Sequence, residues 1–354
     1  MEKLKEQPLR KRKLAIYFAV FMAVLIIGLY YVKWSPYFTK AVNAKTTHTI
    51  GDAIIANVGS KTPAFSITAG WTFTQAYFSS VWKAMVLGII VGSLVQVLIP
   101  TSWIRKYLGE SKFKNSVFAM VLGVPTMMCT CCTAPVAVGL KRAKASLNSI
   151  VAFFLANPLL NPATLVFMGF VLGWRFTFFR ILFGIVTVLI TATIVSKFSK
   201  TKEVNLPDNE IFDPTAESGS NLLVRWLKAL VKLIVESIPA YIIIVFLLGS
   251  LQGLLFPAIN NGNLNSGVLA ILLFSFVGLL FVIPTAGEIP IIQVLMGLGL
   301  TSGPAAALLI TLPAVSIVSL GILKPAFSWK NLITIGGCVL VMGILAGICG
   351  SFIL

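Results

Sequence analysis

Apolar residues run in long stretches along this chain, and charge is confined to short clusters between them. Leu14 to Val32 is one such run, and Ala76 to Ile99 is another. Both approach or exceed the roughly 20 apolar residues that carry a helix across a bilayer. The alternating ten-residue segments of a membrane β-barrel are missing. The pattern predicts an all-α polytopic membrane protein with one N-terminal transmembrane helix followed by two halves. It divides the chain into a basic cytoplasmic N-terminus (1–13), a first transmembrane helix (14–32), an external segment (33–75), a first transmembrane half (76–196), a cytoplasmic linker (197–224) and a second half (225–354).

The halves echo each other. Gly92 to Pro100, GSLVQVLIP, resembles Gly249 to Pro257, GSLQGLLFP. Pro135 and Pro158 have the same spacing as Pro290 and Pro313, and Trp174-Arg175 answers Trp329-Lys330, both at an offset of 155. Internal repeats are a common way to build secondary transporters. Two apolar stretches are interrupted in the middle. Phe118 to Leu140 holds Gly123, Pro125 and Pro135, and Gly267 to Leu300 holds Pro284-Thr-Ala-Gly-Glu-Ile-Pro290. Non-helical backbone at membrane depth is tolerated only inside protein or beside a wet cavity. If both stretches crossed fully there would be nine spans, with Lys141, Arg142, Lys144 and the linker outside. As re-entrant hairpins they leave seven spans and keep those cations inside, which fits the positive-inside rule. The second half then runs opposite to the first, as an inverted repeat. Arg175 and Arg180 fall on the outside, where they are expected to snorkel, as is Lys83 near a helix end.

Composition sharpens this reading. Of 354 residues, 57% are hydrophobic and only 11% are charged, against roughly 25% charged in soluble domains. Mean hydropathy is +0.94. A soluble enzyme, a disordered chain and a disulfide-stapled secreted domain are excluded. The net charge of +17 sits in loop clusters, so its expected partners are anionic lipid headgroups rather than nucleic acid. Six basic residues within Met1 to Lys13 predict a cytoplasmic N-terminus. The first helix lacks a small-residue cleavage site and reads as uncleaved.

Three groups carry candidate chemistry. Cys129, Cys131 and Cys132 lie beside Met127 and Met128 in MMCTCCT, a cluster of soft sulfur donors. Such ligands select Cu(I) and other thiophilic species, and trivalent arsenic suits two or three thiolates on the same grounds. The spacing does not match structural zinc, and the bland alternative is small apolar packing. Glu288 lies deep in the second broken stretch, where an ionisable group is costly and functional by default. It could bind and release a coupling proton, coordinate a cation, or serve as a hydrogen-bonded structural acid. The offset sets it against Thr133, next to Cys132, so the two broken stretches are expected to face each other at mid-membrane. Asn157-Pro158 and Asn161-Pro162 free backbone carbonyls and add amides in an apolar span, a plausible binding wall or a plain packing kink. Cys338 and Cys349 read as packing residues. No nucleophile elbow, phosphate loop or cofactor signature is present, so uphill transport would draw on an ion gradient or a partner.

Cys129 to Leu165, CTCCTAPVAVGLKRAKASLNSIVAFFLANPLLNPATL, resembles the ArsP/YraQ family of predicted permeases. The carriers are the cysteine-bearing stretch, Pro135, Lys141-Arg142 and the two Asn-Pro pairs; Cys132 is an extra cysteine where family members vary. The resemblance implies a bacterial inner-membrane permease. Some relatives are linked to efflux of trivalent organoarsenicals, with cysteines as metalloid ligands, a role that would fall here to Cys129, Cys131 and Cys132. The expected activity is export of a thiophilic solute. The alternatives are transport of another soft metal ion or small solute, or a membrane thiol oxidoreductase using Cys131 and Cys132.

Overall fold

The computed structural model describes residues 2–49, 65–99, 101–199, 221–251 and 266–354, and every regular element among them is helical. Most of the expected linker, Asp52 and the greater part of the Gly249 to Pro257 repeat segment lie outside the described residues.

Helix α1 (Glu2–Leu29) does not stop at Lys33. It passes through a π turn, Tyr30–Trp34, into α2 (Ser35–Thr47). The cause is local. Pro36, in the first turn of α2, has no N–H and its ring crowds the preceding turn. The ladder widens just before it, and the Ser35 N–H reaches back five residues to the Tyr30 carbonyl. His48 ends α2 in the left-handed region, at φ 50°, its N–H on the Ala44 carbonyl. The expected external segment therefore begins as helix. Lys33 does not mark a water boundary: it is 4% exposed.

Helix α3 (Ile67–Leu98) likewise begins nine residues before Ala76. Ser66 caps it by accepting from the Ala69 N–H at 3.2 Å, satisfying one orphan donor of the first turn. The first half continues through α4 (Thr101–Leu108), α5 (Phe113–Gly123), a 3-10 turn (Val124–Thr126), α6 (Thr130–Arg142), α7 (Leu147–Leu159), α8 (Pro162–Val171) and α9 (Trp174–Phe198). The second comprises α10 (Leu222–Ser250), α11 (Gly267–Leu280), α12 (Glu288–Gly297), α13 (Ser302–Ala314), α14 (Ile317–Leu323) and α15 (Trp329–Ile353).

Among the described residues, seven segments are long and apolar enough to cross a membrane. They are Ala15–Thr47, α3, α7 with α8, α9, α10, α13 with α14, and α15. The protein is a multi-pass helical membrane protein. Helices α11 and α12 are apolar but too short to span alone, and α5 and α6 are also short, at 11 and 13 residues.

Element boundaries recur at one offset. Leu222 follows Ile67, Ser302 follows Leu147, Ile317 follows Pro162 and Trp329 follows Trp174 by 155 positions each. Helices at matching positions pack on one another: α3 on α10, α7 on α13, and α9 on α15. Close approach elsewhere depends on glycine. A Cβ on Gly92 in α3 would stand 2.6 Å from the Pro135 carbonyl oxygen in α6. Small residues allow such backbone contact between membrane helices.

Candidate functional site

Both interrupted stretches are broken in the structure. In the first half, the chain leaves the 3-10 turn through Met127, at φ 51°, before Cys129 caps α6. In the second, residues 281–287 separate α11 from α12, with Ala286 at φ 69°. A left-handed conformation at a non-glycine residue costs of order 1–3 kcal/mol and clusters at functional sites. Here each break contains one.

The first break is held by Asn157. Its side-chain oxygen accepts from the Thr126 hydroxyl, in a very short contact, and from the Met128 N–H at 3.4 Å. Its amide nitrogen donates to the Phe153 carbonyl at 2.9 Å. Asn157 thus fixes the turn that delivers Cys129. Cys129 and Cys132 lie one turn apart, with sulfurs 3.1 Å from each other and no disulfide. Cys131 Sγ is 3.4 Å from the Tyr77 hydroxyl of α3, which accepts from the Tyr241 hydroxyl of α10 at 2.9 Å. All three thiols are buried. Among the described residues, no group of three or more His, Cys, Asp or Glu side chains is placed to hold a metal ion.

Asn161 caps α8, accepting from the Ala163 and Thr164 N–H groups at 3.0 and 3.3 Å. Its amide nitrogen and the Thr164 hydroxyl are buried without a hydrogen-bond partner among the described residues. Buried polar atoms are normally paired, so a polar solute or water at this place would satisfy them.

Glu288 opens α12, where its charge complements the helix N-terminus. It is also ion-paired. Arg180 of α9 donates to it at 2.7 Å, and the two side chains are 0% and 2% exposed. The expectation that Arg180 snorkels outside is therefore corrected. Arg180 Nη2 also donates to the Pro158 carbonyl at 2.7 Å, and Nε to the Leu159 carbonyl at 3.0 Å. These carbonyls end α7, beyond its last helical hydrogen bonds. One guanidinium thus ties the C-terminus of a first-half helix to the acid of the second break. Hydropathy gave little sign of this. The available signal was an arginine one and a half turns inside an otherwise phenylalanine-rich span.

The breaks converge. Cys129, Pro158, Thr164, Pro284, Thr285 and Glu288 line one cavity of about 10 Å³, room for a single water. Asn157 and Asn161 are buried in the α7–α8 junction and do not line it. A larger cavity of about 210 Å³ adjoins the second break and shares Pro284, Thr285 and Ala286 with the first cavity. Lys33, which the sequence placed in an external segment, reaches into it. Lys33 Nζ donates to Tyr37 Oη at 3.1 Å and to Thr285 Oγ1 at 3.0 Å. The adjacent Trp34 Nε1 donates to the Pro125 carbonyl of the first break at 3.0 Å.

A second ion pair joins the halves: Arg142 at the end of α6 meets Glu236 of α10 at 2.6 Å. Lys83 is exposed beside Trp82, while Cys338 and Cys349 are half-buried on α15.

Two interrupted helical segments meeting inside a multi-pass bundle are a construction that many membrane transporters use. The chain belongs to the ArsP_1 family of predicted permeases, whose model matches residues 66–352. It is similar to the UPF0718 protein YraQ of Escherichia coli (strain K12), 45% identical over 329 residues and 93% of each chain. It is also similar to the UPF0718 protein MJ0584 of Methanocaldococcus jannaschii, 22% identical over 338 residues, 77% of this chain and 92% of the relative. No solved structure matches. Membership in a permease family implies a small solute and a membrane setting, and a transporter rather than an enzyme.

Proposed function

We propose that this protein is a secondary transporter that exports a thiophilic solute, such as a trivalent organoarsenical, across the inner membrane. The observation that carries this reading is the shared cavity: Cys129 from one break and Glu288 from the other line the same space. Cys129 and Cys132 offer two soft donors at adjacent positions. Asn161 and Thr164 offer polar atoms unpaired among the described residues. Cys131, hydrogen-bonded to Tyr77, couples the sulfur cluster to the α3–α10 interface.

The halves act as inverted repeats. Each contributes three segments long enough to span, an odd number, so the second begins on the opposite face from the first. The recurrence at 155 positions and the packing of matched helices support one pseudo-two-fold relation between them. Such an arrangement gives two nearly equivalent packings, in which the site opens to one side or the other. The Arg180–Glu288 pair joins the halves at the site and closes it in the state described here. Loss of that pair would free the halves to part, so the coupling ion, a proton in this reading, is assigned to it. With Lys3 to Lys13 cytoplasmic, the first half runs from outside to inside.

The test is uptake of methylarsenite or phenylarsenite into inverted vesicles from expressing cells. Uptake driven by a pH gradient, and lost in a Cys129→Ser, Cys132→Ser double variant, is the expected result. Equal uptake by the double variant would remove the thiols from the mechanism.

A further inference from the structure

We propose that the 210 Å³ cavity beside α2 is an anion-binding vestibule, which favours solutes that carry a negative group beside their thiophilic centre. This deepens the transport reading by naming a solute class. The cavity is lined by Lys33, Tyr37 and Lys40 from the N-terminal rod, Ser80 from α3, and Thr285 and Pro290 around the second break. Two lysines line it and, among the described residues, no carboxylate does. Lys33 is 4% exposed and, among the described residues, is bonded to two hydroxyls. No ion pair to Lys33 or Lys40 is found among the described residues. Glu288, the carboxylate of the break, is already engaged by Arg180.

A buried ammonium without a counter-ion is costly. An anion in the cavity would supply that charge, with hydroxyls of Tyr37, Ser80 and Thr285 as further donors. Thr285 borders both cavities. A solute held by its anionic group in the vestibule would therefore need only to pass Thr285 to present a soft atom to Cys129. Lys33 and Lys40 precede the residues matched by the family model, which begin at 66. The charge selection thus comes from the N-terminal rod, and Trp34 on Pro125 and Lys33 on Thr285 dock that rod on both breaks.

The experiment uses the full chain in phosphatidylcholine nanodiscs at fixed ionic strength. Thermal unfolding is followed by tryptophan fluorescence with sodium benzoate, thiosulfate or sulfate against chloride. At least one of the three is expected to raise the midpoint saturably. Its apparent Kd should weaken about tenfold or more in Lys33→Met, the loss of one charge-assisted contact, and recover in Lys33→Arg. Lys40→Glu, on an exposed side chain, should weaken it as well and serves if Lys33→Met does not fold. The Cys129→Ser, Cys132→Ser double variant should still bind the anion. Thus anion binding without arsenical transport sinks the transport reading alone, and transport without any anion effect sinks this inference alone. No saturable shift with any of the three, or equal shifts in wild type and Lys33→Met, overturns the proposal. A shift obtained only when phosphatidylglycerol is added would assign the site to lipid headgroups and overturn it equally.

Discussion

Removing Arg180 tests the central joint of the structure. In Arg180→Leu, Glu288 loses its partner at 2.7 Å, and the Pro158 and Leu159 carbonyls lose theirs. Breaking a buried ion pair from one side costs about 3–5 kcal/mol. Each buried acceptor left unsatisfied adds about 1–3 kcal/mol, so a loss near 5 kcal/mol or more is expected. Glu288→Gln keeps an acceptor oxygen and leaves Arg180 on its two carbonyls. Its loss should be smaller, about 2–3 kcal/mol, the scale of one hydrogen bond to a charged group. Arg180→Leu combined with Glu288→Leu removes both charges and should be more stable than Arg180→Leu alone. A double-mutant cycle should then give a coupling of at least about 1 kcal/mol. The assay is reversible unfolding in micelles, with circular dichroism read against denaturant. Arg180→Leu within about 0.5 kcal/mol of wild type, or strictly additive losses, would refute the buried pair.

Four further outcomes follow from the geometry. Asn157→Ala frees Thr126 and the Met128 N–H, and should cost about 1–3 kcal/mol while speeding maleimide labelling of Cys129, read by mass spectrometry. Gly92→Val forces a branched side chain against the Pro135 carbonyl and should lower the unfolding midpoint, at a cost of about 1–3 kcal/mol or more; an unchanged midpoint would contradict the close α3–α6 contact. Glu236→Gln, in the more exposed pair with Arg142, should cost less than Arg180→Leu in the same denaturation assay. Tyr77→Phe removes the hydroxyl beside Cys131 and between Tyr241 and the sulfur; a modest loss of about 1 kcal/mol, with the Cys129–Cys132 pair still reactive toward a dithiol-selective arsenical dye, is expected.

Periodicity and hydropathy located the helices because long apolar runs have few ways to satisfy their backbone in lipid. The breaks were legible for the converse reason: Pro125, Pro284 and Pro290 cannot continue a hydrogen-bond ladder in an unbroken span. The 155-residue echo was legible in a few prolines and a tryptophan, and the helix boundaries follow it closely. Partners distant in sequence were not legible. Arg180 and Glu288 are 108 positions apart, and nothing local distinguishes an arginine that snorkels from one that turns inward. Lys33 looked like punctuation after an apolar run because a charge normally ends a span. The π turn before Pro36 and two hydroxyls at 3.0–3.1 Å let the helix run on past it.

The Arg180–Glu288 pair also bears on how the chain is made. Ribosomes add roughly 5–20 residues per second, so a nascent chain carries Arg180 for roughly 5–20 s before Glu288 exists. During that interval α9 has an uncompensated guanidinium and must be held by the insertion machinery, by earlier helices, or at the headgroup level. Chains cut short ahead of residue 288 never find the counter-charge, and their first half should be a ready substrate for membrane proteases.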